Sequence, residues 1–185
     1  IQRPPNNFFD ISLINQIADA LEKLDADEDC RVSVLCAEGK AFCAGANFGR
    51  GEALDEKGEF KSQSEEERVR HLYMEAVRLF ECRKPIVAAI EGPAIGGGLG
   101  LAMVPDFRVT CPEARFAANF TRLGFHPGFG LTETLPAIVG QQNANLMFFT
   151  SRRFKGDEAH AMGLADVLVA KKEVRTTAHM LAAEI

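Results

Sequence analysis

The residues of this sequence best suited to chemistry are three consecutive glycines, Gly96 to Gly98, which stand between two apolar stretches. Residues 85–90 (PIVAAI) predict a strand buried on both faces, because the stretch is continuously apolar and contains β-branched residues. Residues 99–104 contain helix formers and are followed by Pro105, which cannot continue a helix. N–H groups at a helix start carry partial positive charge, so this strand, glycine turn and helix can hold a carbonyl oxygen that becomes an oxyanion.

The glycine run also has a plainer interpretation, in which three small residues only allow a strand to pack close to a helix. Two better-known glycine motifs are excluded, since no register of the sequence gives G-x-G-x-x-G or G-x-x-x-x-G-K-[ST]. The sequence therefore gives no support to a dinucleotide site or a P-loop. The oxyanion and the packing interpretations both stay open on these residues alone.

A second segment rich in small residues, 37–48 (AEGKAFCAGANF), follows a strand predicted at residues 32–36. Its glycines and alanines let the backbone come close to a ligand or to another chain. The polar residues 49–64 predict a surface loop, for which a lid and a plain solvated loop are both open interpretations. Ser64 and Glu67 then form a capping-box pattern that predicts the start of a helix.

The rest of the chain alternates between predicted helices and strands. Residues 10–24 predict an amphipathic helix with Asp10 as its N-cap, and Asp106 is expected to cap or orient the start of a strand. Further strands are predicted at residues 107–111, 115–118 and 165–169, and further helices at residues 132–139, 143–150 and 154–162. This alternation is typical of an α/β fold.

The composition limits the classes of partner. The 185 residues, 46% hydrophobic and 25% charged, predict one globular domain. A net charge of −5 and a pI near 5.4 argue against nucleic acid or an anionic membrane as a partner, and favour a small molecule. Five cysteines without a C-x-x-C pair fit neither a disulfide framework nor a zinc site. His71, His160 and His179 lack metal-ligand spacing, so no metal is predicted.

A reducing cytoplasm is the expected compartment, because the sequence shows neither a signal peptide nor an apolar run of the roughly 18 residues that a membrane span needs. The glycosylation sequon at Asn119 is then interpreted as coincidental. Neither end of the chain shows a complete element, so further segments are expected beyond both ends.

Three stretches together carry a resemblance to a known family: KAFCAGANF, EGPAIGGGLGLAMVPDFRV and RFAANFTRLGFHPGFG. From about residue 10 to about residue 169 the chain resembles the crotonase superfamily, also called the enoyl-CoA hydratase/isomerase family. The resemblance implies an α/β fold, a spiral of ββα units with two roughly perpendicular sheets. It also implies a core domain at residues 1–170 and the start of a C-terminal helical region, cut short, at residues 171–185.

The same resemblance implies the ligand and part of the site. Members of the family bind acyl-CoA thioesters and are usually trimers or dimers of trimers, so coenzyme A is expected as part of the substrate and no prosthetic group is expected. The thioester carbonyl would be held by the backbone N–H groups of Ala46 and Gly97. The segment containing Cys43, Ala44 and Ala46, together with Gly97, is accordingly expected to bind the coenzyme A thioester.

The departures from the family pattern are as informative as the matches to it. Hydratases of the family use two glutamates, and Gly100 and Phe120 occupy those positions here. Neither residue can transfer a proton, so a standard hydratase is not expected, and an acyl-CoA enzyme with unusual acid and base groups is the leading hypothesis. A non-catalytic acyl-CoA binding protein is the main alternative, and a weak hydratase that uses other groups to hold water is a third.

Two titratable residues are candidates to replace the glutamates. His126 lies in a turn-rich loop and would titrate near neutral pH if unperturbed, as a general acid or base should. Its alternative interpretation is a loop histidine bonded to the backbone. Glu133, near the start of the helix predicted at residue 132, could project into the same cavity or could simply complement the helix dipole.

Overall fold

The computed structural model describes residues 1–46 and 72–185. The predictions made for Asn47, for the loop at residues 49–64 and for the capping box of Ser64 and Glu67 lie outside these ranges, as does His71. Within the described ranges, two sheets and the helices between them form the α/β fold that the sequence predicts.

The element bounds are as follows. The strands are β1 (Ser33–Leu35), β2 (Ile86–Ile90), β3 (Ala94–Ile95), β4 (Phe107–Thr110), β5 (Arg115–Ala117), β6 (Phe154–Lys155) and β7 (Val167–Leu168). The α-helices are α1 (Ile11–Ala26), α2 (Leu72–Phe80), α3 (Gly97–Ala102), α4 (Leu131–Thr150), α5 (Gly156–Ala161) and α6 (Val174–Glu184), with 3₁₀ turns at Thr121–Leu123 and Lys171–Glu173.

The first sheet is parallel, in the order β1-β2-β4-β7. All five residues of β2 are buried, as the continuous apolar run predicts for a strand covered on both faces. The carboxylate Oδ2 of Asp106 accepts a hydrogen bond of 2.8 Å from the N–H of Ile86, which confirms that Asp106 orients the start of a strand. Helix α6 packs on this sheet with Val174, Ala178 and Ala182 buried.

The second sheet has the order β3-β5-β6, with β3 parallel to β5 and β5 antiparallel to β6. Strand β3 has no signal in the sequence, because two residues are too few to show an alternating pattern. The helix predicted at residues 154–162 is wrong at its start, where Phe154–Lys155 form β6 and α5 begins at Gly156. Strand β3 matters most for the site, since it leads directly into the three glycines. It also lies beside the small-residue segment that precedes the undescribed loop, through a parallel bridge between Cys43 and Ala94.

The predicted position of the helix after the glycines is wrong by two residues at each end. Helix α3 begins at Gly97 and ends at Ala102, well before Pro105. A Cβ on Gly98 would lie 2.0 Å from the carbonyl oxygen of Cys43, so the chain needs glycine inside the helix to approach the neighbouring backbone. This tertiary contact overrides the low helix propensity of glycine.

The two helices predicted at residues 132–139 and 143–150 are confirmed, since α4 is divided at Gly140, whose φ of 76° and ψ of 159° are not helical. Helix α1 carries the predicted cap, in which the Asp10 side chain accepts a hydrogen bond of 2.8 Å from the N–H of Leu13. No helix among the described residues combines the length and the hydropathy that crossing a membrane requires.

Candidate active site

A cleft of about 420 Å³ opens where the two glycine-bearing segments meet. Its lining comes from the residue before the N-cap of α1, from the segment after Cys43, from β3 and the glycine turn, and from the segment after β5. The lining residues are Phe9, Ala44, Gly45, Ala46, Ile95, Gly96, Gly97, Asn119, Phe120, Leu123 and Phe125. The structure therefore brings together three of the predicted site residues, Ala44, Ala46 and Gly97.

A parallel bridge brings the segment that carries Ala46 alongside the strand that leads into the glycine turn. Cys43 pairs with Ala94, its N–H donates to the Pro93 carbonyl at 3.1 Å, and its own carbonyl accepts from the N–H of Ile95 at 3.0 Å. Both segments then turn at glycines with positive φ, Gly45 at 77° and Gly96 at 59°. The approach is close, because a Cβ on Gly45 would lie 3.4 Å from the nitrogen of Gly97.

The two amides are available as donors within the described part of the chain. Gly97 is the first residue of α3, so its N–H has no partner within the helix. Neither this N–H nor that of Ala46 donates to an acceptor in residues 1–46 or 72–185. Both N–H groups are therefore candidate donors to an oxygen bound in the cleft.

Phe9 contacts both glycine-bearing segments of the cleft. Its N–H donates to the carbonyl of Gly45 at 3.1 Å, and its ring is only 5% exposed. A Cβ on Gly97 would lie 2.2 Å from the Cζ atom of the Phe9 ring, so the ring covers the Cα of Gly97. A side chain at position 97 would therefore displace the Phe9 ring, whereas one at position 98 would meet backbone.

The positions where hydratases of the family are expected to carry glutamates are both apolar here. Phe120 lines the cleft, whereas Gly100 is buried in α3 beneath the ring of Phe129. A Cβ on Gly100 would lie 2.6 Å from the Cβ of Phe129, which leaves no room for any side chain. The Phe129 ring is itself fixed between Phe9, at a centroid distance of 5.5 Å, and Phe80, at 6.5 Å.

The two candidate acid and base residues do not line this cleft. His126 is exposed, its Nδ1 lies 2.9 Å from the carbonyl oxygen of Pro127, and it lines a neighbouring groove that shares Phe125 with the cleft. Glu133 is exposed in the first turn of α4. These placements match the alternative interpretations of both residues, and a catalytic role for either stays a prediction. No group of three or more possible metal-ligating side chains occurs in residues 1–46 and 72–185.

Sequence reasoning missed three residues that shape the site. Phe9 precedes the N-cap Asp10, a position where an apolar residue commonly packs against the first turns of the helix, and this signal could have identified it. Asn119 was considered only as a sequon. Phe129 could not be identified from the sequence, because its backbone has a φ of 57°. An aromatic residue rarely adopts this conformation, so the residue type does not predict it.

Cys43, which the resemblance assigns to coenzyme A binding, contributes only backbone to this region. Its side chain is fully buried and does not line the cleft, and burial raises the pKa of its thiol to about 12.

We expect iodoacetamide at pH 8 to leave Cys43 unmodified in the folded protein, because only about one thiol in ten thousand would be ionised. Peptide mass spectrometry checks this, with the partly exposed Cys30 as the internal reference. Modification of Cys43 as fast as Cys30 would show that its side chain reaches solvent.

Comparison with known proteins shows the family. The sequence profile of the enoyl-CoA hydratase/isomerase family matches residues 1–185. The glyoxysomal fatty acid beta-oxidation multifunctional protein MFP-a of Cucumis sativus is 35% identical over 187 residues, which cover 100% of this chain and 25% of that protein. The probable enoyl-CoA hydratase EchA14 of Mycobacterium tuberculosis is 37% identical over 150 residues, covering 81% of this chain and 56% of that protein.

A solved structure agrees with the sequence relatives. The crystal structure of an enoyl-CoA hydratase from Bacillus anthracis superposes with a TM-score of 0.83 and 28% identity, covering 96% of this chain and 67% of that chain. The expected crotonase-type fold is thus confirmed. The chain spans between a quarter and little more than half the length of the two curated relatives.

Proposed function

Because this chain belongs to the enoyl-CoA hydratase/isomerase family, we propose that its cleft binds an acyl-CoA thioester whose carbonyl oxygen accepts hydrogen bonds from the N–H groups of Ala46 and Gly97. The observation that supports the proposal is that Ala46 and Gly97 both line one apolar cleft, with the nitrogen of Gly97 3.4 Å from the point that a Cβ on Gly45 would occupy. Removal of a proton next to the carbonyl would move an electron pair onto that oxygen, and the two donors would stabilise the resulting enolate.

The enzyme in this proposal uses thioester enolate chemistry with acid and base groups other than the two glutamates. His126 and Glu133 are the residues that the sequence puts forward, and in the described structure each would have to move to reach the cleft. A lyase or an isomerase reaction of fatty acid metabolism fits this chemistry. The proposed setting is a homotrimer or a dimer of trimers in the cytoplasm, although the name of the cucumber relative places that protein in the glyoxysome.

A second candidate function is acyl-CoA binding without catalysis. One observation favours it: none of the described residues that line the cleft carries an ionisable side chain. An apolar pocket without a proton donor can still bind a fatty acyl chain. The two candidates share the carbonyl site and differ only in turnover, so one set of measurements can separate them.

The test compares butyryl-CoA with S-butyl coenzyme A, a thioether that has the same chain without the carbonyl oxygen. We expect calorimetry to show that butyryl-CoA binds at least about fivefold more tightly, because a hydrogen bond contributes about 0.5 to 1.5 kcal/mol and two would be lost. Equal affinity of the two compounds would contradict the carbonyl site.

Turnover is then assayed in D₂O by liquid chromatography with mass spectrometry, which detects isomers and deuterium exchange as well as changes of mass. The substrates are saturated, enoyl and hydroxyacyl thioesters, and the proteins are wild type, His126→Ala and Glu133→Gln. Turnover that falls at least about a hundredfold in one variant would identify that residue as an acid or base. Equal turnover in all three proteins would remove both residues from the mechanism. Tight binding without turnover of any thioester would support the non-catalytic alternative.

A further inference from the structure

Among the described residues that line the cleft, Asn119 has the only polar side chain. It is half-buried, and its neighbours along the wall are Phe120, Leu123 and Phe125. Its carboxamide makes no side-chain hydrogen bond to any residue in the ranges that the structure describes. The carboxamide, which has two N–H donors and an acceptor oxygen, therefore faces a cleft whose other described side chains cannot form hydrogen bonds with it.

The strand register sets Asn119 next to the proposed carbonyl site. In the pairing of β3 with β5, Ile95 lies opposite Ala117, and the N–H of Gly96 donates to the Ala117 carbonyl at 2.8 Å. Asn119 follows Ala117 by two residues, and it lines the cleft together with Gly97 and Ala46.

The distances agree with this placement. The Oδ1 atom of Asn119 lies 3.1 Å from the point that a Cβ on Gly96 would occupy. With standard backbone dimensions, Oδ1 is then within about 7 Å of the nitrogen of Gly97. A group bonded to C2 or C3 of an acyl chain is two or three bonds from the carbonyl carbon, and so falls in the space between the two.

Desolvation gives the carboxamide a selective role. In the empty cleft it can bond to water, because it is only half-buried. An acyl group that fills the cleft displaces this water, and a purely aliphatic chain offers no replacement hydrogen bond. Sites built to bond a polar substrate group discriminate strongly against the analogue that lacks it, because their own polar group is then left unpaired.

We propose that Asn119 is a specificity-determining residue, which selects acyl thioesters that carry a hydroxyl group on C2 or C3. The inference rests on the proposed function, since it takes the carbonyl to lie at Ala46 and Gly97. A carboxamide has no accessible pKa, so Asn119 serves as a hydrogen-bonding group and not as an acid or a base.

The test measures the affinities of 3-hydroxybutyryl-CoA and butyryl-CoA by calorimetry. Wild type is expected to bind the hydroxy compound at least about fivefold more tightly. Asn119→Leu, whose side chain has the same number of heavy atoms and the same branch point, should lose this preference while its affinity for butyryl-CoA stays the same or rises. Asn119→Ala is the second variant, and thermal unfolding verifies that both are folded. Asn145→Leu, at a half-buried helix position outside the cleft, is the matched control and should keep the wild-type preference.

The outcomes separate this inference from the proposed function. Equal binding of the two thioesters by wild type would overturn the role of Asn119 and leave the carbonyl site intact. An equal loss of affinity for both thioesters in the folded Asn119 variants would also overturn it, since the residue would then only support the cleft. If wild type bound neither thioester, the proposed function would fail and this inference with it.

Discussion

Replacing Gly98 with alanine is expected to lower the free energy of unfolding by about 3 kcal/mol and to weaken butyryl-CoA binding at least about tenfold in the protein that remains folded. The added Cβ would lie 2.0 Å from the carbonyl oxygen of Cys43 and 2.6 Å from its carbon. This is backbone that cannot rotate away, and the same carbonyl accepts the hydrogen bond from Ile95. Helix α3 and the Cys43 segment would have to separate, and the amides of Gly97 and Ala46 would separate with them.

Gly156 provides the matched control for this substitution. A Cβ there would lie 1.9 Å from the carbonyl oxygen of Cys111, an overlap of the same kind at a position outside the cleft. Gly156→Ala should therefore be destabilised about as much, by urea denaturation, but should bind butyryl-CoA like wild type at a temperature where it is folded. Wild-type affinity in folded Gly98→Ala, or an equal loss of affinity in both variants, would show that the spacing of the two segments does not control the site.

The sequence contained enough information to predict the elements whose patterns are local. Strand β2 is continuously apolar and is buried throughout, and helix α1 has both its cap and its apolar face where the spacing puts them. The segment around Ala46 and the three glycines were recognised as backbone that approaches something closely. What they approach is each other, through the register that begins at Cys43 and Ala94.

The features that could not be predicted depend on contacts between distant residues. The early start of α3 follows from the position of Cys43, which is more than fifty residues away in the chain. Phe129 fills the space next to Gly100 because its backbone is in the left-handed conformation, which the residue type does not predict. His126 has a suitable chemistry but lies in the adjacent groove, because the loop that carries it turns outward after Phe125.

Restoring a glutamate at position 100 is expected to fail as a single change. Gly100→Glu should lower the free energy of unfolding by about 3 kcal/mol or more, because it places a carboxylate in a buried position. The new Cβ would also lie only 2.6 to 2.8 Å from atoms of the Phe129 side chain. It should also leave crotonyl-CoA hydration at background, since Phe120 supplies no second carboxylate. Urea denaturation and the loss of enoyl absorbance measure the two effects.

The companion change that the structure specifies is Phe129→Gly. Glycine adopts the φ of 57° at that position without strain, and removing the ring opens the space that a side chain at position 100 needs. In a double-mutant cycle, Gly100→Glu and Phe129→Gly should therefore be less destabilising together than the sum of the single changes, by about 1 to 3 kcal/mol. Adding Phe120→Glu should then give hydration of crotonyl-CoA above wild type. Strictly additive unfolding free energies would contradict the steric coupling of the two positions. A stable triple variant without hydration would instead show that two carboxylates at these positions are not sufficient, and that the orientation of the substrate in this cleft differs from that in a hydratase.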